Sequence, residues 1–170
     1  MANKPRIAWD SCVILDALDD KSPRYPHVSP MYNDAIIGKV EIVVSEISVA
    51  EVCKLTPSVS AGRVTTAQAI SMVNGFFDNK FIIRIPVDRS ISMLAAKIIR
   101  DHNLETCDAL IVAAAIETAN VVVLYSADGK ALRKKQPSPL KCNGLIGSPA
   151  LSIKKPDALE WVTEPFLITP

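Results

Sequence analysis

Four acidic residues, Asp10, Glu51, Asp108 and Asp128, fall where an apolar run ends or where a helix opens, and most of their neighbours are small or apolar. Carboxylates brought to one edge of a fold repel each other and would be protonated at neutral pH unless a cation compensates them. Mg²⁺ and Mn²⁺ are such cations, bound by oxygen donors in near-octahedral geometry. An ion so held lowers the pKa of its bound water and stabilises the transition state of phosphodiester hydrolysis. Singly, each acid has an ordinary reading. Asp10 can cap a helix, Glu51 can be solvated, Asp108 can sit favourably at a helix N-terminus, and Asp128 can make a turn with Gly129. What distinguishes the two readings is whether the surrounding elements bring the acids together.

Arg6 to Trp9, Val40 to Val44, Phe81 to Ile85 and Val121 to Tyr125 are short, continuous apolar runs, the pattern of strands buried on both faces. Between them lie helical stretches: a short one after Asp10, one over Met31 to Gly38 closed by the glycine, and one capped by Ser45 and broken at Thr56-Pro57. Further helices open at Thr65 or Thr66, at Val87-Asp88 and at Thr106. Pro23, Pro26 and Pro30 mark the segment around them as loop. Continuous strands alternating with crossover helices predict an α/β fold, a three-layer α/β/α sandwich around a mostly parallel sheet. In such sheets functional groups gather at the carboxyl ends of the strands, where Asp10 follows the first strand and Asp128 the fourth. A helix over Thr106 to Ala119 runs about 21 Å, and the strand after it runs about 17 Å back, so Asp108 and Asp128 are expected at one edge.

These segments resemble the PIN domain family, whose pattern is an Asp closing the first strand, a Glu in an early helix and two later Asp residues. Residues 7–18, IAWDSCVILDAL, are similar to its opening motif, and residues 44–52, VSEISVAEV, to its second, which places the family glutamate at Glu51. Residues 107–115, CDALIVAAA, resemble the third, and residues 124–128, LYSAD, the fourth, with Ser126 where the family commonly has Thr. The resemblance covers about residues 6 to 133. It implies a Mg²⁺- or Mn²⁺-dependent endoribonuclease with Asp10, Glu51, Asp108 and Asp128 as catalytic metal ligands. Ser11 and Ser126 would offer hydroxyls to a metal-bound water or to the substrate phosphate. A VapC-like toxin branch of the family implies an antitoxin partner, and a non-catalytic module of the same fold, binding RNA or protein, is the alternative.

The net charge of +1 announces no partner, but charge is segregated along the chain. Residues 129–156 carry seven basic residues and no acid. Lys130, Arg133, Lys134 and Lys135, just past Asp128, are placed to hold RNA phosphates. No aromatic-rich strand offers a stacking platform, so recognition is expected to rest on backbone and shape. The 170 residues suit one domain, read as a nuclease-like unit over 1–136 and a proline-rich extension over 137–170 that wraps the same domain as an extended tail. Apolar helix faces are expected to support a homodimer. No apolar run approaches the ~18 residues of a membrane span, and the first residues lack the apolar stretch of a signal peptide. The expected location is therefore the cytoplasm, with Cys12, Cys53, Cys107 and Cys142 as free thiols. Cys53 is expected to turn away from Glu51 and pack as a small apolar group. Phosphate-binding glycine loops, a G-x-S-x-G elbow and zinc spacing are absent, and Cys12 stands where dehalogenase-like chemistry would want a second Asp.

Overall fold

Five strands form the centre of the molecule: β1 (Arg6–Trp9), β2 (Glu41–Ser45), β3 (Ile82–Ile85), β4 (Val121–Tyr125) and β5 (Ile153–Lys154). The structure is a computed structural model and describes residues 4–53, 55–127, 138–147 and 150–163. The strand order is β3-β2-β1-β4-β5 and every ladder is parallel. Neighbouring residues in a strand face opposite sides, and here both sides are apolar. Ile7, Trp9, Ile42 and Val44 enter one core, while Ala8, Val43 and Leu124 enter the other.

Helices cover both faces. On the first lie α1 (Ser11–Ala17), α2 (Tyr25–Ile36), α3 (Glu46–Val52), α4 (Thr56–Ser60), α5 (Thr66–Phe77) and α8 (Ala158–Thr163), which pack Val13, Ile14, Met31, Val52, Phe76 and Trp161 around Trp9. On the second lie α6 (Arg89–His102) and α7 (Thr106–Glu117). In α6 a single apolar stripe of Ile91, Ala95 and Ile98 is buried; α7 is enclosed nearly all round, with Ile111 to Ala115 all buried. The three-layer α/β/α architecture expected from the sequence is what forms.

Two expectations are corrected. The proline-marked loop is instead the start of α2, which begins at Tyr25 and contains Pro26 and Pro30. Pro26 stands in the first turn, where the missing N–H has no intrahelical acceptor to lose. Pro30 forfeits one backbone bond inside the helix, and burial of Val28, Met31 and Ala35 on the same helix offsets that loss. Gly38 closes this region as expected, with φ +78° and its N–H donated to the Ala35 carbonyl. The second correction concerns 137–170, read as an extended tail. Its described part holds a 3₁₀ turn (Pro139–Cys142), strand β5 against β4 and helix α8 against α2, so it adds to the sheet and to the first helical layer.

Candidate metal centre at the carboxyl edge of the sheet

The strand order reverses direction between β1 and β4, because consecutive strands run outward from β1 on one side and from β4 on the other. A crevice at that point, beyond the carboxyl ends of the strands, is where open α/β sheets place ligands. Trp9 pairs in register with Tyr125, which brings the next residues, Asp10 and Ser126, to the same level. The Asp10 N–H donates to the Tyr125 carbonyl at 2.9 Å, carrying the ladder one residue further.

Asp10 is the N-cap residue of α1, with extended backbone at φ −75° and ψ 157°, yet its side chain makes no capping bond. An Asp in this position ordinarily accepts a backbone N–H from the first turn. Its Oδ2 instead accepts from Ser126 Oγ at 2.6 Å and from Cys12 Sγ at 3.3 Å. The carboxylate is only 5% exposed and the Ser126 hydroxyl is fully buried. The ordinary reading of Asp10 as a helix cap therefore fails. The Ala127 N–H donates in turn to Cys12 Sγ at 3.1 Å, so the thiol ties the start of α1 to the chain leaving β4. Burial first, and then the Asp10 charge, push the Cys12 thiol far above its ordinary value, keeping it a protonated donor at neutral pH.

Glu51 lies late in α3 and accepts a hydrogen bond from Ser11 Oγ, the first residue of α1. Asp108 is half-buried in the first turn of α7. Between them sits Cys107, whose thiol is pushed up to about 11 by burial, by the charge of and a hydrogen bond to Glu51, and by the charges of Asp108 and Glu105. Asp108 adds to burial in raising Cys142 as well. These shifts report a negative potential shared by the ends of α3 and α7.

Asp10, Cys12 and Ser126 thus form one bonded group and Ser11 and Glu51 another, with Cys107 next to both Glu51 and Asp108. Among the described residues, however, no three His, Cys, Asp or Glu side chains come close enough together to hold a metal ion. Asp128, Lys130, Arg133, Lys134 and Lys135 lie outside the described residues. Of the other basic residues in that stretch, Lys154 is paired with Glu160 of α8.

The donor set fits Mg²⁺ or Mn²⁺. The oxygens carried by Asp10, Glu51, Asp108, Ser11 and Ser126 are of the hard type these cations take. Two features escaped the sequence reading. Cys12 was expected only as a free thiol, but as the second helical residue it lies beside its own cap residue, which spacing from an N-cap could have revealed. Ser45 was read as a cap; it is the N-cap of α3, but its Oγ makes no capping bond and, with Ser48 Oγ, is buried without a hydrogen-bond partner among the described residues. Cys53 is exposed at the C-cap of α3 rather than packed, because the helix ends there.

A family model described as the PIN domain matches residues 7–136. No curated protein matches the chain. Among solved structures, the chain is similar to one described as the crystal structure of VapBC2 from Rickettsia felis bound to a DNA fragment from their promoter. That likeness has a TM-score of 0.57 and 16% identity, and it covers 88% of this chain and 98% of the other.

Proposed function

Because the chain belongs to the PIN domain family, we propose that it is a Mg²⁺- or Mn²⁺-dependent endoribonuclease whose site is built from Asp10, Glu51, Asp108 and Asp128. The observation that carries this reading is the Asp10 carboxylate, turned away from its helix and held by Ser126 and Cys12 at the strand-order reversal. A cation bound among these carboxylates would activate a water and neutralise charge developing on the phosphate. The chain's own groups prepare that step. Ser126 and Cys12 orient Asp10, Ser11 orients Glu51, and burial of Asp10 strengthens every charge interaction it makes.

The test incubates the protein with a mixed structured RNA and Mn²⁺, with and without chelator, beside Asp108→Asn purified identically. Metal-dependent cleavage lost in both controls is expected. Equal cleavage by the variant would assign the activity to another site or to a contaminant.

Lys130, Arg133, Lys134 and Lys135 hold RNA phosphates flanking the scissile bond in this reading. Reversing the charge of Arg133, Lys134 and Lys135 together should weaken RNA binding and flatten its salt dependence by about three contacts' worth of slope, since each neutralised phosphate adds roughly 0.7–0.9 to that slope. Unchanged affinity would remove the basic stretch from the RNA interface.

The likeness to a chain of the VapBC2 complex supports an antitoxin partner for this protein. No helix among the described residues is long and apolar enough to cross a membrane. Exposed Ile36 and Ile37 at the end of α2 supply apolar surface for a homodimer or for the antitoxin. Size exclusion with light scattering should give a dimer, and a monomer at high concentration would count against that arrangement.

A further inference from the structure

Beside the proposed centre, α1, the loop after it and α4 enclose a cavity of about 230 Å³. It adjoins the site through one side chain, because Cys12 lines it and donates to Asp10 Oδ2 at 3.3 Å. Leu15 and the buried Leu55 give it an apolar lining. Two arginines complete the walls, and each is fixed by a carboxylate that is almost entirely buried. Arg24 Nε donates to Asp16 Oδ2 at 2.6 Å, with Ser22 holding the other oxygen of Asp16. Arg63 donates to Asp19, which Ser58 and the Lys21 N–H also hold.

These pairings decide which chemistry fits. Asp16 balances Arg24 and Asp19 balances Arg63, leaving only the exposed Lys21, itself 3.7 Å from Asp20, so the buried walls hold no unbalanced cation for a phosphate or a carboxylate. It offers apolar walls, two immobilised guanidinium planes and the Nε and Nη1 donors of Arg63, which have no partner among the described residues. A neutral, planar, heteroatom-rich ring suits that combination, because unstacked bases of single-stranded RNA stack on guanidinium planes and use their edges for hydrogen bonds. A fork fixed in advance loses little freedom on binding. The volume equals that of about eight waters at ~30 Å³ each, room for one ring system and little more.

We propose that this cavity takes one unstacked nucleobase of the RNA substrate, next to the scissile phosphate. The assignment rests on the ribonuclease reading above and adds a base-specific element to recognition otherwise built on backbone and shape.

The test uses short RNAs with one abasic nucleotide placed at successive positions around the cleaved bond, cleaved by the full chain and by Arg63→Lys. The lysine keeps a charge on Asp19 and loses the planar fork. The wild type should lose about tenfold or more at one position, the size of a single stacking contact. Arg63→Lys should shrink that difference by slowing intact RNA more than abasic RNA. If no position matters to the wild type, or if the variant slows intact and abasic RNA equally, the cavity is not a base site. Should no RNA be cleaved, anisotropy measurements of binding with the same oligonucleotides decide separately: position-dependent binding lost in Arg63→Lys supports the cavity, and position-independent binding overturns it. Lys21→Trp, at an exposed rim position, should close the mouth and give the same loss. A variant that instead keeps the base preference and weakens only a protein partner would assign the cavity to that partner.

Discussion

At the scale of single residues, the Asp10–Ser126 bond is the contact most open to attack. Both groups are buried, so Ser126→Ala strips a charged acceptor of its neutral partner without opening it to water. Loss of a group that orients a metal ligand typically costs 10–100-fold in metal affinity. Ser126→Ala should therefore shift the Mn²⁺ dependence of the thermal midpoint to about 10–100-fold higher concentration, measured by calorimetry over a metal series; an unchanged dependence would mean Asp10 is oriented without the hydroxyl. The placement of Asp10 at a strand end and of Asp108 in the first turn of a helix was legible in the sequence, because carboxylates beside apolar runs are rare enough to be noticed. The thiol of Cys12 was not, because a residue two positions on in a helix points roughly the opposite way. That rule holds inside helices, whereas Asp10 is a cap in extended conformation, outside the helix, and its Oδ2 accepts from Cys12 Sγ.

At the scale of elements, helices α5 and α2 make contrasting claims. Thr65 opens α5 with a complete capping box: its Oγ1 accepts the Gln68 N–H at 3.2 Å and the Gln68 side chain accepts the Thr65 N–H at 2.8 Å. Thr65→Ala should cost about 1 kcal/mol, read from denaturant midpoints at constant slope, and a neutral result would show that the packing of Phe76 and Phe77 alone holds the helix. In α2, Pro30→Ala should raise stability by about 1–2 kcal/mol, because the regained backbone bond outweighs the freedom restored to the unfolded chain. Loss of stability instead would show that the proline ring itself packs productively. Proline content misled the sequence reading here and again in the C-terminal segment. Proline reports a missing N–H and a fixed φ, and both are tolerated in first turns and at positions that packing over-determines. The four strands were legible because a sheet buried on both faces must be written in unbroken apolar runs; β5, two residues long, is too short to leave such a run.

At the scale of the molecule, the segment after residue 150 is joined to the early chain through Trp161, whose Nε1 donates to Asp34 Oδ2 at 2.9 Å. Burial alone would raise Asp34, but hydrogen bonds from Lys39 and Trp161 and the Lys39 charge hold it below the usual carboxylate value. A depressed folded-state pKa contributes stability above the unfolded value near ~3.9 and loses it as pH falls through the folded one. Acid should therefore release α8 from α2 below about pH 4, seen as faster hydrogen exchange in α8. Asp34→Asn, which keeps an acceptor but cannot titrate, should remove that part of the acid dependence; an identical acid profile would locate the loss elsewhere.

The register that sets Trp9 against Tyr125 joins Asp10 to a hydroxyl 116 residues further along the chain. β1 can pair with β2 early, but its other edge, and with it the fixing of Asp10, waits for β4. During synthesis, where chains emerge at about 5–20 residues per second, Asp10 therefore waits at least several seconds for its Ser126 partner. The bond that orients this carboxylate therefore cannot form until both ends of a 116-residue span have been made.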